Sequence, residues 1–123
     1  MENFELKQSF LNQILNFKSG CCHDNWDGEN SLALSQDTID HGLRFINKLE
    51  KYNLINDNLR IRPGSNTIIF TWKKSNSNNI ATIEFDNQWD RLIWCIEDNS
   101  NIMYGQSIHL EEIVEKFKTF LGK

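Results

Sequence analysis

The feature that most constrains this chain is a change of hydrophobic period near residue 59, from helical spacing to strict alternation. Before it, Leu6, Phe10, Leu11, Ile14, Leu15 and Phe17 recur at three- and four-residue steps, the repeat of one helix face. Gly20 and a polar run from Cys21 to Asn30 end that pattern. Ser35 then offers an N-cap oxygen, with Asp37 at the positive end of the helix dipole. Ile39, Leu43, Phe45, Ile46 and Leu49 form the stripe of this second helix, which Asn53 to Asn58 stops. Beyond it the apolar residues alternate. Leu59 to Arg62 reads as a short edge strand stopped by Pro63-Gly64, and Thr67 to Lys73 turns Ile68, Phe70 and Trp72 to one face. Ala81, Ile83 and Phe85 alternate next, then Leu92, Trp94 and Ile96, with a last short strand over Ile102 to Tyr104.

Turns this close together leave no room for parallel crossovers, so the strands form an antiparallel meander. Ser107 is placed to cap a final helix, with Glu111 and Glu112 in its first turn. Leu110, Ile113, Val114, Phe117, Phe120 and Leu121 supply its apolar stripe. The expected fold is α+β: two N-terminal helices, a meander sheet of four to five strands and a C-terminal helix, all helices on one sheet face. At 123 residues, 39% hydrophobic and 24% charged, residues 1–123 make one domain able to form a core without staples. The opposite face of the sheet is half apolar: Ile69, Ile93 and Cys95 fall there with Thr67, Thr71, Thr82 and Glu84. It is either a partner surface or a face covered by a loop or the last helix, and covering is the simpler expectation.

Charge and cysteine usage narrow the function classes. A net charge of -4 opposes an electrostatic nucleic-acid footprint, although Arg60, Arg62, Lys73 and Lys74 fall on neighbouring strands and form the one basic cluster. An acidic surface suits solubility and, after that, a basic protein partner. Three cysteines give no even disulfide framework, and the Cα atoms of adjacent Cys21 and Cys22 lie only about 3.8 Å apart. Met1-Glu2-Asn3-Phe4-Glu5 is not a signal-peptide start, and the longest apolar run, Leu92 to Ile96, is too short for a bilayer. The expectation is a reduced, cytoplasmic protein with no membrane contact.

Between the two helices stands Asn25-Trp26-Asp27-Gly28, residue types suited to a folded corner. Trp26 can bury its ring, Asn25 and Asp27 can satisfy loop backbone, and Gly28 can take a positive φ. Together with Leu34-Ser35, Phe45-Ile46, Ile61-Arg62-Pro63 and the strand from Ile68 to Trp72, this corner resembles a family of small bacterial and phage proteins. Their pattern is Asn-Trp-Asp-Gly-x-Gly-Ala, a Pro-x-Ser helix start and a strand ending in Trp. The similarity covers roughly Asp24 to Trp94. It departs at Asn30 and Ser31, which replace Gly and Ala, and at Thr71, where relatives often carry an acid. The resemblance implies a compact fold, an accessory role and no assigned catalytic residues.

Chemistry-bearing groups are few. Cys21, Cys22, His23 and Asp24 invite a metal reading, but adjacent cysteines serve one tetrahedral ion poorly and no second Cys/His pair completes the set. Cys95 and His109 are remote in sequence, and His41 reads as a solvated helix residue. Trp72 and Trp94 belong to the core. Trp89, in a polar turn, is the best candidate for an exposed anchor, with Asp90 beside it, Trp26, Asp27 and Tyr104 as further partner-binding candidates. No metal, cofactor or catalytic residue is assigned. The expectation is a non-enzymatic domain that binds another protein: an immunity protein, an antitoxin or a phage-encoded inhibitor of host antiviral defence, its partner a basic toxin or a defence protein. One alternative is a small enzyme or ligand binder using the Cys21–Asp27 loop. The other is nucleic-acid binding through Arg60, Arg62, Lys73 and Lys74.

Overall fold

The computed structural model describes residues 2–74, 77–86 and 90–122, with backbone alone at residues 2 and 3. Helix α1 spans Glu2–Gly20 and helix α2 spans Gln36–Lys51. Five strands follow, β1 Leu59–Gly64, β2 Thr67–Lys73, β3 Ile80–Asp86, β4 Arg91–Asp98 and β5 Asn101–Ser107. A 3-10 turn, Leu110–Glu112, leads into helix α3, Val114–Leu121. The strands lie in chain order, each antiparallel to the next, so the fold is the α+β meander that the alternating pattern implies.

All three helices pack on the face that carries Ile68, Phe70, Trp72, Ile83, Phe85, Leu92, Trp94 and Ile96. Phe45 of α2 meets Phe70 and Phe85, while Phe117 of α3 meets Trp72 and Trp94 edge-on. One buried cluster runs from Phe10 and Ile14 to Phe117 and Phe120. The helices α1 and α2 are antiparallel: Lys7 pairs with Glu50 at 2.8 Å, and Ile14 lies against Gly42. Gly42 is a poor helix former, but a Cβ there would sit 2.5 Å from the Ile68 side chain, so α2 approaches β2 through it.

Several local expectations need correction. Leu15 is exposed, because the core side of α1 is centred on Phe10, Ile14 and Phe17 and each step turns the helix by roughly 100°. Pro63 and Gly64 do not end β1; they pair with Ile68 and Thr67, since an edge strand can leave the missing proline N–H facing outward. Thr67 lies on the Ile69 side of β2 as its parity implies, yet it is buried at the end of the strand. Its hydroxyl donates to the Phe85 carbonyl (2.8 Å) and accepts from the Phe85 N–H (3.2 Å), standing in for a ladder bond. Strand β5 is longer than Ile102 to Tyr104. The two-residue loop Asn99-Ser100 has φ of 51° and 71°, the left-handed pair that a tight hairpin needs, and pairing continues to Ser107. Ser107 therefore stays in the strand, and the helical start moves to Leu110, where a Glu112 carboxylate oxygen accepts from the N–H groups of Ile108 and His109.

Asparagine does the work of glycine in these connections. Among the described residues, Asn25, Asn30, Asn53, Asn66 and Asn99 all take positive φ, a conformation asparagine tolerates better than most residues with a side chain. Among the described residues no helix is long and apolar enough to cross a membrane.

Candidate protein-interaction surface

Strand register sets the chemistry of the face that no helix covers. Arg60, Thr71, Thr82, Cys95 and Tyr104 form one row across the five strands. Arg62, Ile69, Glu84, Ile93 and Gln106 form the next. At about 4.8 Å per strand these rows run roughly 19 Å, an area suited to a folded partner. Helix α3, one candidate cover for this face, packs on the core side instead, because Phe117 meets Trp72 and Trp94 edge-on and Phe120 is buried with it. The centre of the face is half-buried by its own neighbours: Ile69, Ile93 and Cys95 are each partly accessible.

The two edges of the sheet differ. Strand β1 carries Arg60, Arg62 and Pro63, residues that discourage pairing with another strand. Strand β5, Asn-Ile-Met-Tyr-Gly-Gln-Ser, carries no charge and no proline. Tyr104 is 79% exposed there and Ile102 60%. Beyond the strand, Ile108 is 70% exposed. Of the five expected partner-binding residues, Tyr104 is thus fully presented. Asp90 is exposed at φ 52°, and Trp89 lies outside the described residues.

Trp26 and Asp27 are engaged inside their loop. The Trp26 ring packs partly against the core and its Nε1 donates to the Leu32 carbonyl at 3.1 Å. Asp27 accepts from the Ser31 hydroxyl (2.5 Å) and the Glu29 N–H (2.9 Å), and Asn25 Oδ1 accepts from the Asn30 N–H (2.7 Å). The Ser31 hydroxyl, then the Glu29 amide, lower the Asp27 pKa. The carboxylate's support of the loop is therefore present above the ordinary carboxylate range and is lost as pH falls through its lowered pKa. Gly28, at φ 75°, closes the turn. Ser31 thus has a role of its own, as the anchor for Asp27.

The same loop disposes of its thiols separately. Cys21 is buried, and burial first, then the negative charge of Cys22 and Asp27, raises its pKa above the ordinary thiol value. Cys22 is exposed, with its Sγ 3.7 Å from the Ser19 carbonyl, and Cys95 is half-buried in the row beside Tyr104. A neutral, desolvated thiol is a poor nucleophile. Mass-spectrometric labelling at neutral pH should therefore modify Cys22 first, with Cys21 protected until the chain unfolds. Rapid modification of Cys21 in the folded protein would contradict this burial.

The fold also gathers groups that are scattered in sequence. His41 is not a solvated helix residue; its ring stacks on Phe85 with centroids 4.0 Å apart. With His109, Asp90 and Arg91 it borders a shallow hollow where α2 meets the β3–β4 and β5–α3 connections. No cysteine lines that hollow, and Cys95 lies on the other side of the sheet from His109. Proximity arises here only through pairing of distant strands, so no local spacing signals it. Among the described residues no cluster of three His, Cys, Asp or Glu side chains could hold a metal ion. Arg60, Lys73 and Lys74 share an open hollow with Asp57 and Asn58, while Arg62 lies on the next row. The hollow is partly neutralised, with Lys74 3.6 Å from Asp98.

No protein-family model, curated protein or solved structure matches the chain.

Proposed function

We propose that this protein acts by binding another protein across the uncovered face of its sheet, in the manner of a stoichiometric inhibitor or neutraliser. Immunity proteins, antitoxins and phage-encoded inhibitors of host defence are the classes that fit such a domain. The observation that supports this reading is the face itself: a five-stranded surface bearing Ile69, Ile93, Cys95 and Tyr104, with every helix committed to the opposite side. Ile69 and Ile93 flank Glu84 at the centre of the face, with Arg62 and Gln106 at its edges, an arrangement that suits a partner offering apolar contacts around one basic group. The Cys21–Asp27 loop is spent on its own hydrogen bonds, which favours the face over the loop as the working surface.

Affinity capture from the native cell, followed by reconstitution with the purified partner, tests this. A one-to-one complex is expected, and Ile69→Lys or Ile93→Lys should weaken it roughly tenfold or more by burying a charge in the contact. Leu15→Lys, at an exposed leucine of α1 on the helical side of the sheet, should leave affinity and circular dichroism unchanged. A complex that survives both lysines but is lost on altering Trp26 or Asp27 would move the surface to the loop.

A further inference from the structure

We infer that β5 is a self-pairing edge, and that two copies of this chain join antiparallel along it into one continuous ten-stranded sheet. Tyr104 is the midpoint of Asn101–Ser107, so a two-fold axis through it brings the whole strand into register with its copy. Asn101 then faces Ser107 of the second copy, Ile102 faces Gln106, Met103 faces Gly105, and Tyr104 faces itself. Each of these pairings is compatible. Polar ends meet polar ends, two tyrosines form a cross-strand aromatic pair, and the longest side chain on the core side falls opposite a residue with no side chain.

Gly105 is that open position because of Trp94. A Cβ at residue 105 would lie 3.1 Å from the indole ring, so the tryptophan occupies the space above the glycine. Pairing would bring Met103 of the second copy, whose counterpart here is 46% exposed, against that ring edge. The Trp94 Nε1, which has no hydrogen-bond partner among the described residues, lies 3.2 Å from that same Cβ position.

Charge favours a second copy over an unrelated strand. No residue of β5 is ionised, so two-fold pairing sets no like charges face to face. Beside the edge, Asp98, Glu115 and Lys116 border the hollow that Met103 lines, two acidic groups and one basic, and Lys74 stands 3.6 Å from Asp98. The far edge, β1, carries the guards that β5 lacks, which leaves one competent edge and a closed dimer rather than a growing sheet. The assembly would place two uncovered faces side by side with the Tyr104 pair at their centre. It goes beyond the proposed partner binding, whose test rests on Ile69 and Ile93 on the inner strands of the face.

A strand seam of this length lies at the small end of specific interfaces, on the order of 1,200 Å² or less, so association is expected to be weak. Sedimentation equilibrium of the purified chain, from low to high micromolar concentration, should show the mass rising from 14.5 kDa towards twice that value. Tyr104→Lys and Tyr104→Glu should each weaken self-association roughly tenfold or more, with unchanged circular dichroism. Mixing the two variants should restore it, because opposite charges then meet at the axis. A wild-type chain that stays at 14.5 kDa throughout would overturn the inference, as would a dimer indifferent to both substitutions. Two monomeric variants that fail to recombine would overturn the Tyr104 register. None of these measurements involves another protein, so the outcome is independent of the partner assay.

Discussion

Phe117→Ala is expected to lower the free energy of unfolding by about 3–5 kcal/mol, the cost of emptying a fully buried aromatic site. Phe117 has no exposed surface and holds Trp72 and Trp94 edge-on, at centroid distances of 5.4 and 6.5 Å. Helix α3 has eight residues, too few to be helical without tertiary contacts, so its presence depends on this docking. Removing the ring leaves a cavity beside two indoles and weakens a helix that packs on β4. Against a typical stability of about 5–15 kcal/mol, that loss is large. In urea, with a slope of about 1–3 kcal/mol per molar, the midpoint should fall by at least 1 M or so. A shift of only a few tenths of a molar would mean that α3 is peripheral to the core.

Asn66→Ala should cost about 2–5 kcal/mol, from two losses that can be separated. Asn66 Oδ1 accepts from the Ser35 N–H at 2.9 Å and from the buried Thr38 hydroxyl at 2.7 Å, tying the start of α2 to the β1–β2 turn. Each such bond contributes about 0.5–1.5 kcal/mol net. The residue also sits at φ 48°, where an alanine Cβ is strained by roughly 1–2 kcal/mol. Asn66→Gly should therefore recover the strain and keep the hydrogen-bond loss, falling between wild type and alanine. Chemical unfolding of the three proteins orders them. Equal losses for alanine and glycine would remove the conformational part, and a wild-type-like glycine variant would remove the hydrogen-bond part. Hydrogen exchange should rise in residues 32–38 of both variants, because the Asn66 N–H also holds the Leu32 carbonyl and Ser65 Oγ accepts from the Leu32 N–H.

These two sites were unequally visible in the primary structure. Phe117 belongs to an apolar stripe at helical spacing, so its burial follows from the pattern alone. Asn66 is one of sixteen asparagines, and nothing local distinguishes it from those that merely turn the chain. Its partners, Ser35 and Thr38, are about thirty positions away, and the contact exists only because β1 and β2 deliver the turn to the helix start. The working surface divides in the same way. Alternation puts Ile69, Ile93 and Cys95 on one face of their strands, but which face the helices choose depends on Phe45, Phe117 and the ring positions they meet. Tyr104 was recognisable as a residue near a sheet edge. That its strand is the unguarded edge, seven residues long, required the Asn99-Ser100 hairpin to form in the left-handed region.

Periodicity alone determined the class of fold, the antiparallel order of the strands and nearly all of the core, because burial of apolar area is repetitive and each element repeats with its own period. Tertiary structure decided which sheet face stays open and which edge is unprotected. It also decided that Trp26 and Asp27 bond within their own loop, and that His41 and His109 meet at one hollow. Those outcomes depend on pairwise geometry between residues far apart in the chain. Such contacts have no period, so no local pattern carries them.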